Sequence, residues 1–302
     1  MKFITLISEL RKQVQQYKEE GLSIGLVPTM GYLHEGHTRL IESARQENEI
    51  VVVSVFVNPL QFGPGEDYES YPRDSQRDVD VADKHGADIV FMPEVSELYP
   101  HPQNITITVD SSMSAVLCGR SRPGHFDGVA TVVMKLLQIV QPHSVFFGMK
   151  DAQQVAIIQR MIDDFNLPVQ LIGCPTVREP DGLAKSSRNV YLDDEERRQA
   201  TVLIQALQVG HKRLQQSIGT VNELIETVRE QIQASSLAEI DYIEVCTYPH
   251  LEPILPERQL RDVTTHVLLA VAVKIGKTRL IDNVIHEPTT GNGGDGTLCF
   301  VH

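Results

Sequence analysis

The chain of 302 residues carries 27 Lys and Arg against 40 Asp and Glu, a net charge of -13, with 41% hydrophobic and 22% charged residues. That composition suits a soluble globular protein with a sizeable core and room for two domains. The acidic balance opposes extended nucleic-acid contact, which relies on Lys and Arg to neutralise phosphates, yet it leaves room for a small anion in a local positive pocket. The four cysteines, at positions 118, 174, 246 and 299, are far apart and form no CxxC pair, so they read as reduced thiols. The opening MKFITLISELRKQ turns charged too soon for a signal peptide or a membrane span. The expectation is a cytoplasmic protein with neither membrane nor nucleic-acid partners.

In chain order, Ile7, Leu10, Val14 and Tyr17 recur at three- and four-residue steps, predicting an amphipathic helix over 4–17 with Gly21 as its stop. A short strand follows at 23–27, then a turn and a helix over 35–48. The run at 50–57 is continuously apolar and β-branched, as in a central parallel strand buried on both faces. A polar helix near 75–85 leads to a strand at 87–92. Beyond it come an apolar helix at 128–140, a strand at 145–147, a helix at 152–165 and a strand at 169–174. This alternation predicts an α/β domain over 1–177 built on an open parallel sheet, with ligands beyond the carboxyl ends of its strands. Residues 175–180 read as a hinge into a smaller α+β domain over 178–302. Its helices are expected at 194–216 and 221–234, and its strands, forming an antiparallel sheet, at 240–246, 266–275 and 278–284. The Gly-rich tail at 288–296 is expected to be poorly ordered.

Three polar, glycine-rich segments, 28–37, 58–65 and 148–154, each follow a predicted strand directly and so fall on the ligand side of the sheet. In the first, His34 and His37 bracket Gly36 at the entrance to a helix. Residues three apart share a helix face, and the free N–H groups and partial positive charge of a helix N-terminus suit an anion. Gly36 lets a flat base lie on the backbone. A zinc pair or two unrelated surface histidines are the alternatives. In the third segment, Gly148 precedes Lys150, a candidate phosphate clamp, and Asp151, a candidate ribose acceptor or plain helix cap. Gln154 lies on the same side as Asp151. Asn58 and Gln61 offer two amides after the most buried strand, suited to a small hydroxylated acid. Ser186 and Ser187, flanked by Lys185 and Arg188, form either a mobile phosphate clamp or a solvated Ser-rich loop. Arg122 and His125 are functional or simply hold their loop. Met30 and Val129 supply apolar walls or core packing. Asp78 and Asp80 read equally as carboxylates near a metal and as solvated helix positions.

Five segments together carry a resemblance: PTMGYLHEGH at 28–37, FVNPLQFGPGEDYESYPR at 56–73, RPGHFDGVATVV at 122–133, VFFGMKDAQQ at 145–154 and PTVREPDGLAKSSRN at 175–189. In order and spacing they resemble the pantoate–β-alanine ligase family. HxGH alone marks only a wider nucleotidylyltransferase superfamily, and the NPxQFG and GxKDxQQ segments narrow it. The resemblance implies a Rossmann-like N-terminal domain, a smaller C-terminal lid and a homodimer. It implies ATP-dependent condensation of pantoate with β-alanine through a pantoyl adenylate, with Mg2+ accompanying ATP. By similarity His34, His37, Lys150, Ser186, Ser187 and Arg188 are catalytic. Met30, Gly36, Gly148, Lys150, Asp151, Val177 and Lys185 join the two serines and Arg188 in binding ATP. Met30, Asn58, Gln61 and Gln154 bind pantoate. Two positions depart from the family pattern, Lys185 where Met is common and Met149 where Glu is common. A plain adenylyltransferase, a tRNA-charging fragment and a non-catalytic nucleotide-binding module are the competing readings.

Overall fold

The structure, a computed structural model, describes residues 1–288. Apart from Pro288, the tail expected to be poorly ordered lies outside the described residues. Two compact units account for the rest. One comprises Met1–Asp110, Arg122–Met149 and Ile157–Val177, and the other Ser111–Ser121, Lys150–Ala156 and the chain from Arg178 onward.

The first unit contains β1 (Lys2–Ile4), α1 (Ile7–Glu19), β2 (Ile24–Thr29), α2 (Glu35–Glu47), β3 (Ile50–Val55), α3 (Ser75–Lys84), β4 (Ile89–Phe91) and α4 (Val95–Leu98). Beyond α5 (Ser111–Ser114) and α6 (Leu117–Ser121), which belong to the second unit, it continues with α7 (His125–Val140), β5 (Ser144–Gly148), the part of α8 (Ala152–Asp164) from Ile157 on, and β6 (Gln170–Cys174). The six strands form one parallel sheet in the order β1-β4-β3-β2-β5-β6. Every residue of β3 is buried, as its unbroken apolar run requires of a strand covered on both faces. Val51, Val53 and Val55 pack under Leu40, Ile41 and Ala44 of α2 and Ala82 of α3. On the remaining helices, α7 packs against β2 and α1 against α7. Strand order reverses between β2 and β5. In such sheets the crevice beyond the carboxyl ends at that switch point is the ligand site.

The expected helix over 4–17 gives way at its start to β1, which pairs with β4 from Lys2 opposite Ile89 to Ile4 opposite Phe91. Three residues are too few to show a period, and this strand owes its existence to a partner far along the chain.

In the second unit, α9 (Asp194–Ala200), α10 (Val202–Gln216) and α11 (Val221–Gln233) precede an antiparallel sheet of β7 (Ala238–Thr247), β8 (Val267–Ile275) and β9 (Thr278–His286) in the order β7-β8-β9. Its core joins Leu203, Ala206, Leu207 and Leu214 of α10 to Leu224, Val228 and Ile232 of α11 and to Leu269, Val271 and Val273 of β8. Gly210 permits this closeness, since a Cβ there would sit 2.5 Å from the Leu269 side chain. The single helix expected over 194–216 is two. The hydroxyl of Thr201 donates to the carbonyl of Arg198, and the helix is interrupted at that residue. No helix among the described residues is long and apolar enough to cross a membrane.

Candidate active site

The segment after β2 is shaped by its own sequence and by one distant carboxylate. Gly31 and Tyr32 take positive φ, at 85° and 51°. A Cβ at Gly31 would approach Asp78 Oδ2 to 2.8 Å and Val55 Cγ1 to 2.9 Å, so only glycine fits this left-handed position. Asp78, on α3 and 2% exposed, accepts from the backbone N–H groups of Tyr32 at 2.8 Å and Leu33 at 2.6 Å. Burial holds its carboxyl above the usual range despite those two hydrogen bonds. The expectation of a solvated helix position is thus corrected for Asp78. Asp80 is exposed and accepts from Gln76 on its own helix.

His34 is the extended N-cap of α2, and its Nδ1 accepts from the Gly36 N–H at 3.1 Å. The Nδ1 of His37 accepts from the His34 N–H at 3.2 Å, completing a reciprocal cap. The two rings lie 4.1 Å apart, tilted by 37°. An Nδ1 that accepts from the backbone leaves the proton of a neutral imidazole on Nε2, so each ring presents a donor on its far edge. Both Nδ1 atoms are engaged in the cap, and no group of three or more His, Cys, Asp and Glu side chains suited to a metal occurs among the described residues. Those two facts disfavour the zinc reading.

The loop after β3 is held from several sides. Asn58 is fully buried, donates to the Gly128 carbonyl at 3.0 Å, and accepts from the Leu60 N–H and the Tyr99 hydroxyl. Enclosed and engaged at both polar atoms, Asn58 holds the loop in place. Gly128 on α7 is equally constrained, for a Cβ there would lie 2.1 Å from the Leu60 carbonyl oxygen. The Gln61 carbonyl accepts from Arg122 at 3.3 Å and faces His125 Nδ1 at 2.7 Å. Arg122 also grips Glu66 with two hydrogen bonds, at 2.8 and 2.6 Å, which pulls the Glu66 carboxyl below its usual range. Arg122 and His125 therefore hold the loop. Gln61 itself is 7% exposed, and among the described residues its side-chain amide makes no hydrogen bond.

Gly148 ends β5, and residues 149–151 form a tight 3-10 turn into α8. Among the described residues the side chains of Lys150, Asp151 and Gln154 form neither hydrogen bonds nor ion pairs, whereas the next residue, Gln153, is buried and donates to the carbonyls of Met113 and Val116. Lys150 is half-buried, and without a counter-ion among the described residues its ammonium can serve an anionic ligand. Farther along, Ser186 opens the 3-10 turn Ser187–Tyr191, its hydroxyl accepting from the Arg188 N–H at 3.3 Å. The Asn189 amide donates to the Ala184 carbonyl, and Lys185 lies 2.8 Å from Glu179. By unit, Met30, His34, Gly36, His37, Asn58, Gln61, Gly148 and Val177 fall in the first, and Lys150, Asp151, Gln154, Lys185, Ser186, Ser187 and Arg188 in the second.

Residues 2–285 match the family model described as pantoate-beta-alanine ligase. The chain belongs to the pantoate–β-alanine ligase family. It is 54% identical over 298 residues to a pantothenate synthetase of Geobacillus kaustophilus, covering 97% of each chain. It is 50% identical over 285 residues to that of Bacillus subtilis, covering 94% of this chain and 97% of the other. A solved pantothenate synthetase from Thermus thermophilus superposes with a TM-score of 0.87 at 43% identity, covering 95% of this chain and all of the other. A Francisella tularensis pantoate-beta-alanine ligase, complexed with beta-gamma ATP and beta-alanine, gives 0.76 at 34% identity, covering 94% and 97%. Membership makes this chain a ligase, and it accounts for the α/β fold with its small antiparallel sheet.

Within this ligase, one departure from the family pattern has a structural place. Met149 is buried, and a Cβ on the neighbouring Gly173 would come within 2.7 Å of its sulfur, so Met149 fills space against β6. Glu66, Gln153 and Glu179 escaped sequence reasoning, as did the supporting role of Asp78. Each acts on a partner whose proximity only the fold creates, except Glu179, whose spacing of six residues to Lys185 was visible in the sequence.

Proposed function

We propose that the chain joins pantoate to β-alanine at the expense of ATP, through a pantoyl adenylate that it retains. A pantoate carboxylate oxygen attacks the α-phosphorus of ATP while the bond to pyrophosphate breaks. The amine of β-alanine then attacks the activated carbonyl carbon, the carbon–oxygen bond breaks, the nitrogen loses its proton, and AMP leaves with that oxygen. Catalysis here is largely positioning and neutralisation of charge that grows at phosphorus.

The observation that carries this reading is Lys150, an ammonium with no protein partner among the described residues, two residues past the end of β5 at the switch point. Together with the Nε2 donors of His34 and His37 it would stabilise the phosphate charge, joined by Ser186, Ser187 and Arg188. Gly36, Val177 and Met30 would line the adenine, with Gly148 and Asp151 at the ribose. The unspent amide of Gln61, with Gln154 and Met30, would receive pantoate. ATP would enter as its Mg2+ complex. The side chains proposed to face the phosphates are imidazole, ammonium, guanidinium and hydroxyl groups with no carboxylate among them, so the ion would be held by phosphate oxygens and water, not by a protein cage. Residues 1–177 would bind nucleotide and pantoate, with 178–302 as a lid. A cytoplasmic homodimer completes the proposal, its location in keeping with the free, buried thiols of Cys118, Cys174 and Cys246.

The test is ATP–pyrophosphate exchange. It should require pantoate, and adding β-alanine should release AMP. Exchange without any acid would indicate a plain adenylyltransferase, and no turnover a binding module. His34→Ala and Lys150→Ala should each slow exchange by at least about a hundredfold, the scale of one lost charge-stabilising donor, with circular dichroism unchanged. Normal exchange in either variant would remove that residue from its role.

A further inference from the structure

Lys185 directly precedes the two serines, and its ammonium is turned onto a carboxylate of its own unit. Residues 178–184 form a small hairpin. Arg178 bridges to Ala184, the Glu179 N–H donates to the Leu183 carbonyl, and the Gly182 N–H returns to the Glu179 carbonyl with φ of 91° at the glycine. This hairpin is firmly anchored. Arg178 makes two hydrogen bonds, 2.6 and 3.1 Å, to the buried Asp282 of β9. Arg197 of α9 makes two to Asp181, both 2.9 Å, and comes within 3.8 Å of Glu179. Leu183 and Ala184 are buried. Glu179 thus projects from a fixed support, and Lys185 Nζ meets its Oε2 at 2.8 Å. Side-chain exposures of 22% for Lys185 and 20% for Glu179 put the pair partly out of water, where an ion pair is worth more than on an open surface.

The turn that follows is therefore tied on both flanks, at Lys185 by Glu179 and at Asn189 by the Ala184 carbonyl. We propose that Lys185 is a positioning residue for the Ser186–Arg188 turn, acting through Glu179 and not on phosphate directly. This rests on the reading of that turn as the phosphate clamp. Tying the turn in advance removes part of the ordering that ATP would otherwise impose on it, so the latch tightens nucleotide binding. Pantoate, recognised elsewhere, gains nothing from it.

The test compares Lys185→Met, Glu179→Gln, the double variant and Lys185→Arg. ATP affinity would be measured by calorimetry, KM for ATP and for pantoate by exchange, and stability by thermal melting. Each of the two uncharged single variants should weaken ATP binding by about three- to tenfold, as expected for a partly buried pair. Pantoate KM should not move, the double variant should be no worse than the weaker single, and Lys185→Arg should stay near the parent value. If Lys185 contacts phosphate itself, Glu179→Gln would free its charge and tighten ATP, which overturns the proposal. Parent-like ATP affinity in both singles, whatever their melting temperatures, overturns it equally. Calorimetry reads the latch without turnover, so absent pantoate-dependent exchange in the parent would count against the ligase reading alone.

Discussion

At the scale of single residues, the histidine-bearing loop depends on one buried carboxylate. Asp78 receives the N–H groups of Tyr32 and Leu33, and it crowds Gly31 so closely that the loop has little freedom to settle otherwise. Removing the carboxylate would leave two backbone donors without their partner, at about 1–3 kcal/mol each, and would let the turn that delivers His34 relax. Asp78→Ala should therefore lose most adenylation activity while its far-ultraviolet circular dichroism stays native, with Asp78→Asn intermediate because one amide oxygen can still accept. Full activity in Asp78→Ala would show that the loop holds itself. The helix entrance at His34–His37 was legible in the sequence because its residues are near neighbours and the cap they form is local. Asp78 was not, because a carboxylate on a polar helix 44 residues beyond His34 looks like any solvated one. The surroundings of Asn58 were hidden as well. An amide after a buried strand reads as a ligand donor, and its bonds to the Gly128 carbonyl and the Tyr99 hydroxyl emerge only from the fold.

At the scale of elements, α10 and β9 meet through two histidines. His211 and His286 have ring centroids 5.7 Å apart. Burial holds both below the usual histidine range, and for His286 the charges of His211 and His266 add to the effect while Glu287 opposes it. The folded protein therefore refuses protons that the unfolded chain accepts. Stability should be level above about pH 6.5 and should decline as pH falls below it toward the lower folded values. Urea midpoints across that range would show this, and His286→Gln should flatten the decline. An unchanged slope in that variant would assign the effect to other groups. Element by element, long periodic stretches were legible: α2, β3, α7 and the strands β7, β8 and β9 stand where apolar spacing put them. β1 was hidden because three residues carry no period, and its register comes from β4. The interruption of α9 and α10 was hidden because Thr201 is an unremarkable helix residue until its hydroxyl bonds back to Arg198.

At the scale of the whole molecule, the alternation of strands and helices was enough to foresee an open parallel sheet and a separate antiparallel one, since each follows from a repeated local pattern. The strand order was not legible, and with it the switch point between β2 and β5. Pairing across a sheet is decided by contacts distant in sequence. Nor did periodicity show that 111–121 and 150–156 group with the later part of the chain. The central claim is that a pantoate oxygen becomes bonded to the α-phosphorus of ATP, and oxygen labelling tests it most directly. Pantoate carrying 18O in its carboxylate would be turned over with ATP and β-alanine, and the phosphates would be analysed by mass spectrometry. The account predicts one labelled oxygen in each AMP formed and none in pyrophosphate. Unlabelled AMP, or label in inorganic phosphate with ADP as the nucleotide product, would contradict it.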